Sequence, residues 1–91
     1  MLSVLAVRLA CGFRRLTVEQ RAAVGPAWAQ ALRLCEVGPE RLDLYVQRGT
    51  HANAFAAGGR SVAVTLGTVR EFQARRLGDD ALVAILCHEI G

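Results

Sequence analysis

Residues Asn53 to Leu66 read NAFAAGGRSVAVTL, and the folding of this stretch decides the architecture of the chain. Apolar and small residues alternate on both sides of Gly58-Gly59. A two-residue hairpin turn needs positive φ, which glycine adopts without steric cost, so the pair predicts a β-hairpin. Such a turn pairs Ala57 with Arg60, placing Phe55 opposite Val62 and Asn53 opposite Val64. Phe55, Val62 and Val64 are then expected on the core face. The other face carries Ala54, Ala56, Ser61, Ala63 and Thr65. A row of small side chains admits either a packed helix or an extended peptide that adds a strand.

Upstream, Leu42 to Gln47 (LDLYVQ) sets Leu42, Leu44 and Val46 against Asp43, Tyr45 and Gln47, the alternation of a half-buried strand. Before it, Thr17 begins TVEQ, a capping-box pattern in which Gln20 reaches back to the helix start. The helix it opens is expected to kink or divide at Gly25-Pro26, because proline lacks the amide donor. Gly38-Pro39 is expected to end it. The first residues, LSVLAVRLACGF, predict an amphipathic helix with Leu2, Leu5, Leu9 and Phe13 on one face. This run contains Arg8 and falls short of the roughly twenty apolar residues that span a bilayer. Its charges follow its apolar part, the reverse of a signal peptide.

Downstream, GTVREFQARRL (residues 67–77) predicts a helix with Val69, Phe72 and Leu77 inward, broken by Gly78. Asp79 or Asp80 is expected to cap a last helix that turns Leu82, Val83, Leu86 and Ile90 to the core. The order is amino-terminal helices, a small sheet with a hairpin, then two helices, which is the α+β class. The 91 residues are read as a single domain, 1–91.

Composition narrows the function. At 53% hydrophobic residues the chain is built to fold rather than to stay disordered. All eleven basic residues are arginines, giving a net charge of +3. They stand singly or in pairs (Arg14-Arg15, Arg75-Arg76) with no interleaved aromatics, which argues for a solvated surface and against nucleic acid. Cys11, Cys35 and Cys87 form no CxxC pair and describe no disulfide framework. They read as small buried side chains. Trp28 and Tyr45 read as packing residues, and His51 as a solvated loop residue.

The chain closes on ALVAILCHEIG (residues 81–91). In the zinc signature HExxH, two histidines four residues apart are offset by about 40° and about 6 Å of rise, so both imidazoles reach one ion. The glutamate between takes a proton from water whose pKa the ion lowers to about 7. His88 and Glu89 would be the first ligand and the base, and the second histidine would follow Gly91. Cys87 is turned about 100° from His88 along a helix and should not share its ligand sphere.

Two motifs in this order resemble a known family. Asn53-Ala54-Phe55-Ala56, then Val64, Thr65 and Gly67, then Leu82, Ala84, Leu86, His88, Glu89 and Gly91 are similar to the HtpX-like and CAAX-prenyl-protease peptidases. These are membrane-bound or membrane-associated gluzincins. The resemblance covers residues 42–91 well and the amino-terminal helix loosely, and Cys87 departs from the small residue usual there. It implies a zincin-like upper subdomain, the amino-terminal part of a zinc metalloendopeptidase that hydrolyses membrane or misfolded proteins. Glu89 would be catalytic, His88 a zinc ligand, and Asn53 and Ala54 substrate-binding, with polypeptide as the substrate. The resemblance places the remaining ligands past Gly91, so this chain by itself is expected to be soluble, inactive and without zinc. The parent is expected to be membrane-associated with a cytoplasmic catalytic domain. A homo-oligomer formed through surface uncovered by truncation is also expected.

Read without the resemblance, Asn53 either holds a substrate carbonyl or hydrogen-bonds its own turn. The competing function is a non-catalytic module that recruits a peptide along the hairpin edge.

Overall fold

A computed structural model describes residues 12–56 and 59–91. The predicted helix over Leu2, Leu5 and Leu9, together with Cys11, Ala57 and Gly58, lies outside them. Phe13 does not close that helix. It begins a short strand, β1 (Phe13–Arg15), after Gly12 at φ +80°.

Thr17 then caps α1 (Val18–Leu34) as its sequence predicts. The Thr17 hydroxyl accepts from the Gln20 amide at 3.1 Å, and the Gln20 side chain accepts from the Thr17 amide at 2.9 Å. Gly25-Pro26 does not divide this helix, which runs through Pro26 for 17 residues. An interior proline costs about 3 kcal/mol. Burial of Val24, Ala27, Trp28, Ala31 and Leu32 on the same helix offsets it. The helix also stops before Gly38-Pro39. Glu36 takes the left-handed conformation at φ +56°, and the Glu36 and Val37 amides return to the Arg33 and Leu32 carbonyls at 3.1 and 2.9 Å. That is a Schellman cap, built here without glycine.

β2 (Asp43–Gln47), β3 (Ala54–Ala56) and β4 (Ser61–Thr65) complete a mixed sheet of order β1-β2-β4-β3. β2 runs parallel to β4, and the outer pairs are antiparallel. The hairpin forms, but one residue out of the expected register. Ala54 pairs with Val64, Phe55 with Ala63 and Ala56 with Val62. The last described pair, Ala56 with Val62, leaves an odd number of residues in the connection, so it is not a two-residue turn, and Gly59 takes the left-handed conformation at φ +56°.

A slip of one exchanges the faces of a strand. Phe55 consequently leaves the core face for the opposite one, where its ring lies 5.4 Å from that of Phe13 with Ala63 beneath. Ala54 takes the inward place beside Val62 and Val64. The pairing of two aromatic rings across the sheet rewards this register, and the small Ala54 lets a helix approach β3.

Thr65 ends β4 and caps α2 (Leu66–Gln73), its hydroxyl accepting from the Thr68 amide. Val69 is buried, with Phe72 and Leu77 packed beside the core. This helix ends at a second Schellman cap on left-handed Arg75, ahead of Gly78. Gly78, not Asp79 or Asp80, is the N-cap of α3 (Asp79–Ile90). The two aspartates occupy the first turn, where their charge favours the positive end of the helix dipole. Leu82, Val83 and Leu86 of α3 are buried against α1 and the inner face of the sheet, with Ile90 partly covered. The molecule is α+β, with three helices and a four-stranded mixed sheet among the described residues. None of these helices is long and apolar enough to cross a membrane.

Candidate active site

Once Leu82, Val83 and Leu86 face the core, helical periodicity turns Ala84, Ile85, His88 and Glu89 onto one flank. That flank faces β3 across an open groove of about 630 Å³. Thr50, Ala52, Asn53 and Ala54 form the opposite wall, with Thr68, Glu71, Arg76 and Leu77 at its end. The four residues singled out in the sequence, Asn53, Ala54, His88 and Glu89, thus line a single cleft. His88 is exposed to it and Glu89 half-buried.

The placement of Asn53 rests on threonines. The Asn53 amide donates to Thr68 Oγ1 at 2.8 Å and to Thr65 Oγ1 at 3.1 Å. The Thr68 hydroxyl donates to the Asn53 carbonyl at 2.8 Å, and the Thr65 hydroxyl to the carbonyl of His51. The Thr65 amide also donates to the Asn53 carbonyl at 2.9 Å. Gly67 makes room for this loop. Its amide bonds the Gly49 carbonyl at 3.0 Å, and a Cβ there would run into the backbone of Thr50 and His51. Thr65 and Gly67 were visible as a pattern in the sequence, but their role as a clamp on the chain before β3 was not. Thr68 carried no signal of its own.

β3 is an edge strand. Antiparallel backbone groups alternate in direction. Because the Asn53 carbonyl faces β4, the polar groups of Ala54 and Ala56 point outward. One outward donor is already used: the Ala54 amide donates to Asn53 Oδ1 at 2.9 Å. Asn53 therefore does bond its own turn, one of the two alternatives its sequence left open. The same bond fixes the orientation of the carboxamide, leaving Nδ2 as the group presented to a ligand.

Glu71 and Arg76 close the groove as a fork-to-fork pair, with Arg76 Nε 2.8 Å and Nη2 3.0 Å from the two carboxylate oxygens. The hydrogen bond from Arg76 lowers the Glu71 pKa below its ordinary value, with desolvation opposing it and the Arg76 charge adding a lesser lowering effect. In the sequence Arg76 shows only as half of an exposed arginine pair, Arg75-Arg76.

As expected from helical geometry, Cys87 is turned away from His88. Its thiol donates to the Ala31 carbonyl of α1 at 3.8 Å. Among the described residues no three His, Cys, Asp or Glu side chains are grouped to hold a metal ion. The groove offers one imidazole with a carboxylate beside it.

Residues 19–91 match the family model for peptidase family M48. The chain belongs to that family. The match reaches back through α1, further than the motifs of β3, β4 and α3 alone, and makes this M48 chain a relative of metalloproteases. No curated protein and no solved structure matches it significantly.

Proposed function

We propose that this M48 chain forms the substrate-facing wall and the acid–base corner of a zinc metalloendopeptidase of the HtpX-like kind. The reading is carried by one observation: Asn53 and Ala54 on β3 line the same groove as His88 and Glu89 on α3, more than thirty positions along the chain. Zinc, when bound with His88 as one of its ligands, supplies a Lewis acid that makes water a nucleophile near neutral pH. Glu89 takes the proton of the attacking water on a carboxylate oxygen and returns it to the leaving amine. Asn53 Nδ2 donates to a substrate carbonyl, and the Ala54 carbonyl accepts from a substrate amide, so a polypeptide lies extended beside β3. Membrane or misfolded proteins as substrates, and a membrane-associated protein with its catalytic domain in the cytoplasm, follow from the HtpX-like reading.

The test uses the longest natural polypeptide that contains these residues. In it, Glu89→Gln should lower zinc-dependent peptidase activity by about 10² or more while metal content is retained. Near-normal turnover would remove Glu89 as the base. The 91 residues alone should not hydrolyse casein: a catalytic site uses three protein ligands, and among the described residues the groove brings one imidazole. Cleavage abolished by Glu89→Ala would show otherwise.

A further inference from the structure

The helix that carries His88 and Glu89 is joined to α1 through two thiols. Cys35 caps the C-terminal end of α1, and Cys87 begins the last turn of α3; both are free and half-buried. Cys35 Sγ lies 4.0 Å from the carbonyl oxygen of Cys87, and Cys87 Sγ lies 3.8 Å from the carbonyl of Ala31, one turn before Cys35. Each thiol therefore reaches the backbone of the other helix. Two cysteines 52 positions apart in the chain thus meet where two packed helices touch. Neither is used by the groove on the other flank of α3.

We propose that Cys35 and Cys87 form a reversible intramolecular disulfide that ties the end of α1 to the turn bearing His88 and Glu89. The oxidant class is a low-molecular-weight disulfide. One protein thiol, as its thiolate, attacks a sulfur of that molecule, giving a mixed disulfide and one equivalent of small thiol. The second protein thiolate attacks the protein sulfur of the mixed disulfide and releases the second equivalent. One S–S bond breaks in the small molecule and one forms in the protein. Two electrons pass to the small molecule, and the two protons lost by the cysteines end on its two thiol products. Both sulfurs lie in the same contact between α1 and α3, each against the backbone of the other helix, which places the two thiols on facing turns. The loop closed is long, which favours a large loss of freedom in the unfolded chain. The bridge would fix α3 one residue from His88, so the redox state would set how freely the His88-Glu89 turn moves against α1.

The folded chain is incubated with oxidised glutathione and read by intact mass and non-reducing tryptic mapping. The expected product is a monomer lighter by two hydrogens, in which residues 34–41 are linked to residues 77–91. Cys11 falls on a separate peptide, residues 9–14, so its chemistry does not confuse the map. The oxidised chain should melt higher by on the order of ten degrees. Hydrogen exchange at residues 86–90 should slow. Cys35→Ser and Cys87→Ser should each abolish the link, leaving the other cysteine as a glutathione mixed disulfide. The proposal is overturned if both thiols end as mixed disulfides or unreacted, if they link only between molecules, or if the link forms only in denaturant.

Discussion

Asn53 is held by three neighbours of quite different kinds: a strand-end threonine, a helical threonine and a glycine that leaves space. Gly67→Ala should therefore destabilise the fold by about 1–3 kcal/mol, since its Cβ meets fixed backbone at Thr50 rather than a side chain able to move. Urea denaturation measures this, and the perturbation should also appear at the Asn53 amide, which hangs on the same loop. Glu71 makes a pH prediction at this scale. Its pKa lies lower in the folded chain than the ordinary 4.5, chiefly through the Arg76 hydrogen bond. The stability it contributes is present above pH of about 4.5 and is lost as pH falls through the lower folded value. Both partners are exposed, so the effect is small and weakens with salt. Arg76→Ala should flatten the acid limb of a stability–pH profile, and an unchanged limb would show that the pair contributes nothing. Sequence alone marked Asn53 and Gly67 as members of a motif. It could not show what holds them, because, the adjacent Ala54 amide aside, every partner lies across a turn or a strand pair.

Helix starts and helix ends behaved differently. The Thr17 capping box was legible because it is local, with donor and acceptor three residues apart. The ends of α1 and α2 were not, because Glu36 and Arg75 take a left-handed conformation that glycine ordinarily marks. Each carries about 1–2 kcal/mol of steric cost for its Cβ, against about 0.5–1 kcal/mol by which glycine's freedom favours the unfolded chain. Glu36→Gly and Arg75→Gly should each stabilise the protein by about 0.5–1 kcal/mol, seen as a higher denaturation midpoint at unchanged slope. The β3–β4 register was misread for a related reason. Turn residues suggested a two-residue connection, while the contact of Phe55 with Phe13, more than forty positions away, favours the longer loop.

At the scale of the whole molecule, β3 remains an edge with the outward carbonyl of Ala54 and the polar groups of Ala56 directed away from the sheet, beside a partly apolar groove. Such an edge favours a partner strand. We expect concentration-dependent self-association at tens of micromolar, and sedimentation showing one species at monomer mass would count against it. What the sequence by itself determined was local or periodic: the α+β class, the capped first helix, the alternating strand at Leu42–Gln47, and the motifs that mark an M48 chain. Period and capping are set within a few residues, so they can be read without the fold. The tertiary structure alone decided that β2 lies parallel to β4, that Phe55 and Ala54 exchange faces, and that Asn53 stands across a groove from His88 and Glu89. It also decided that Cys35 meets Cys87. These are contacts between residues distant in the chain, selected by how side chains of given size pack once the helices close on the sheet, and no stretch of a dozen residues contains that information.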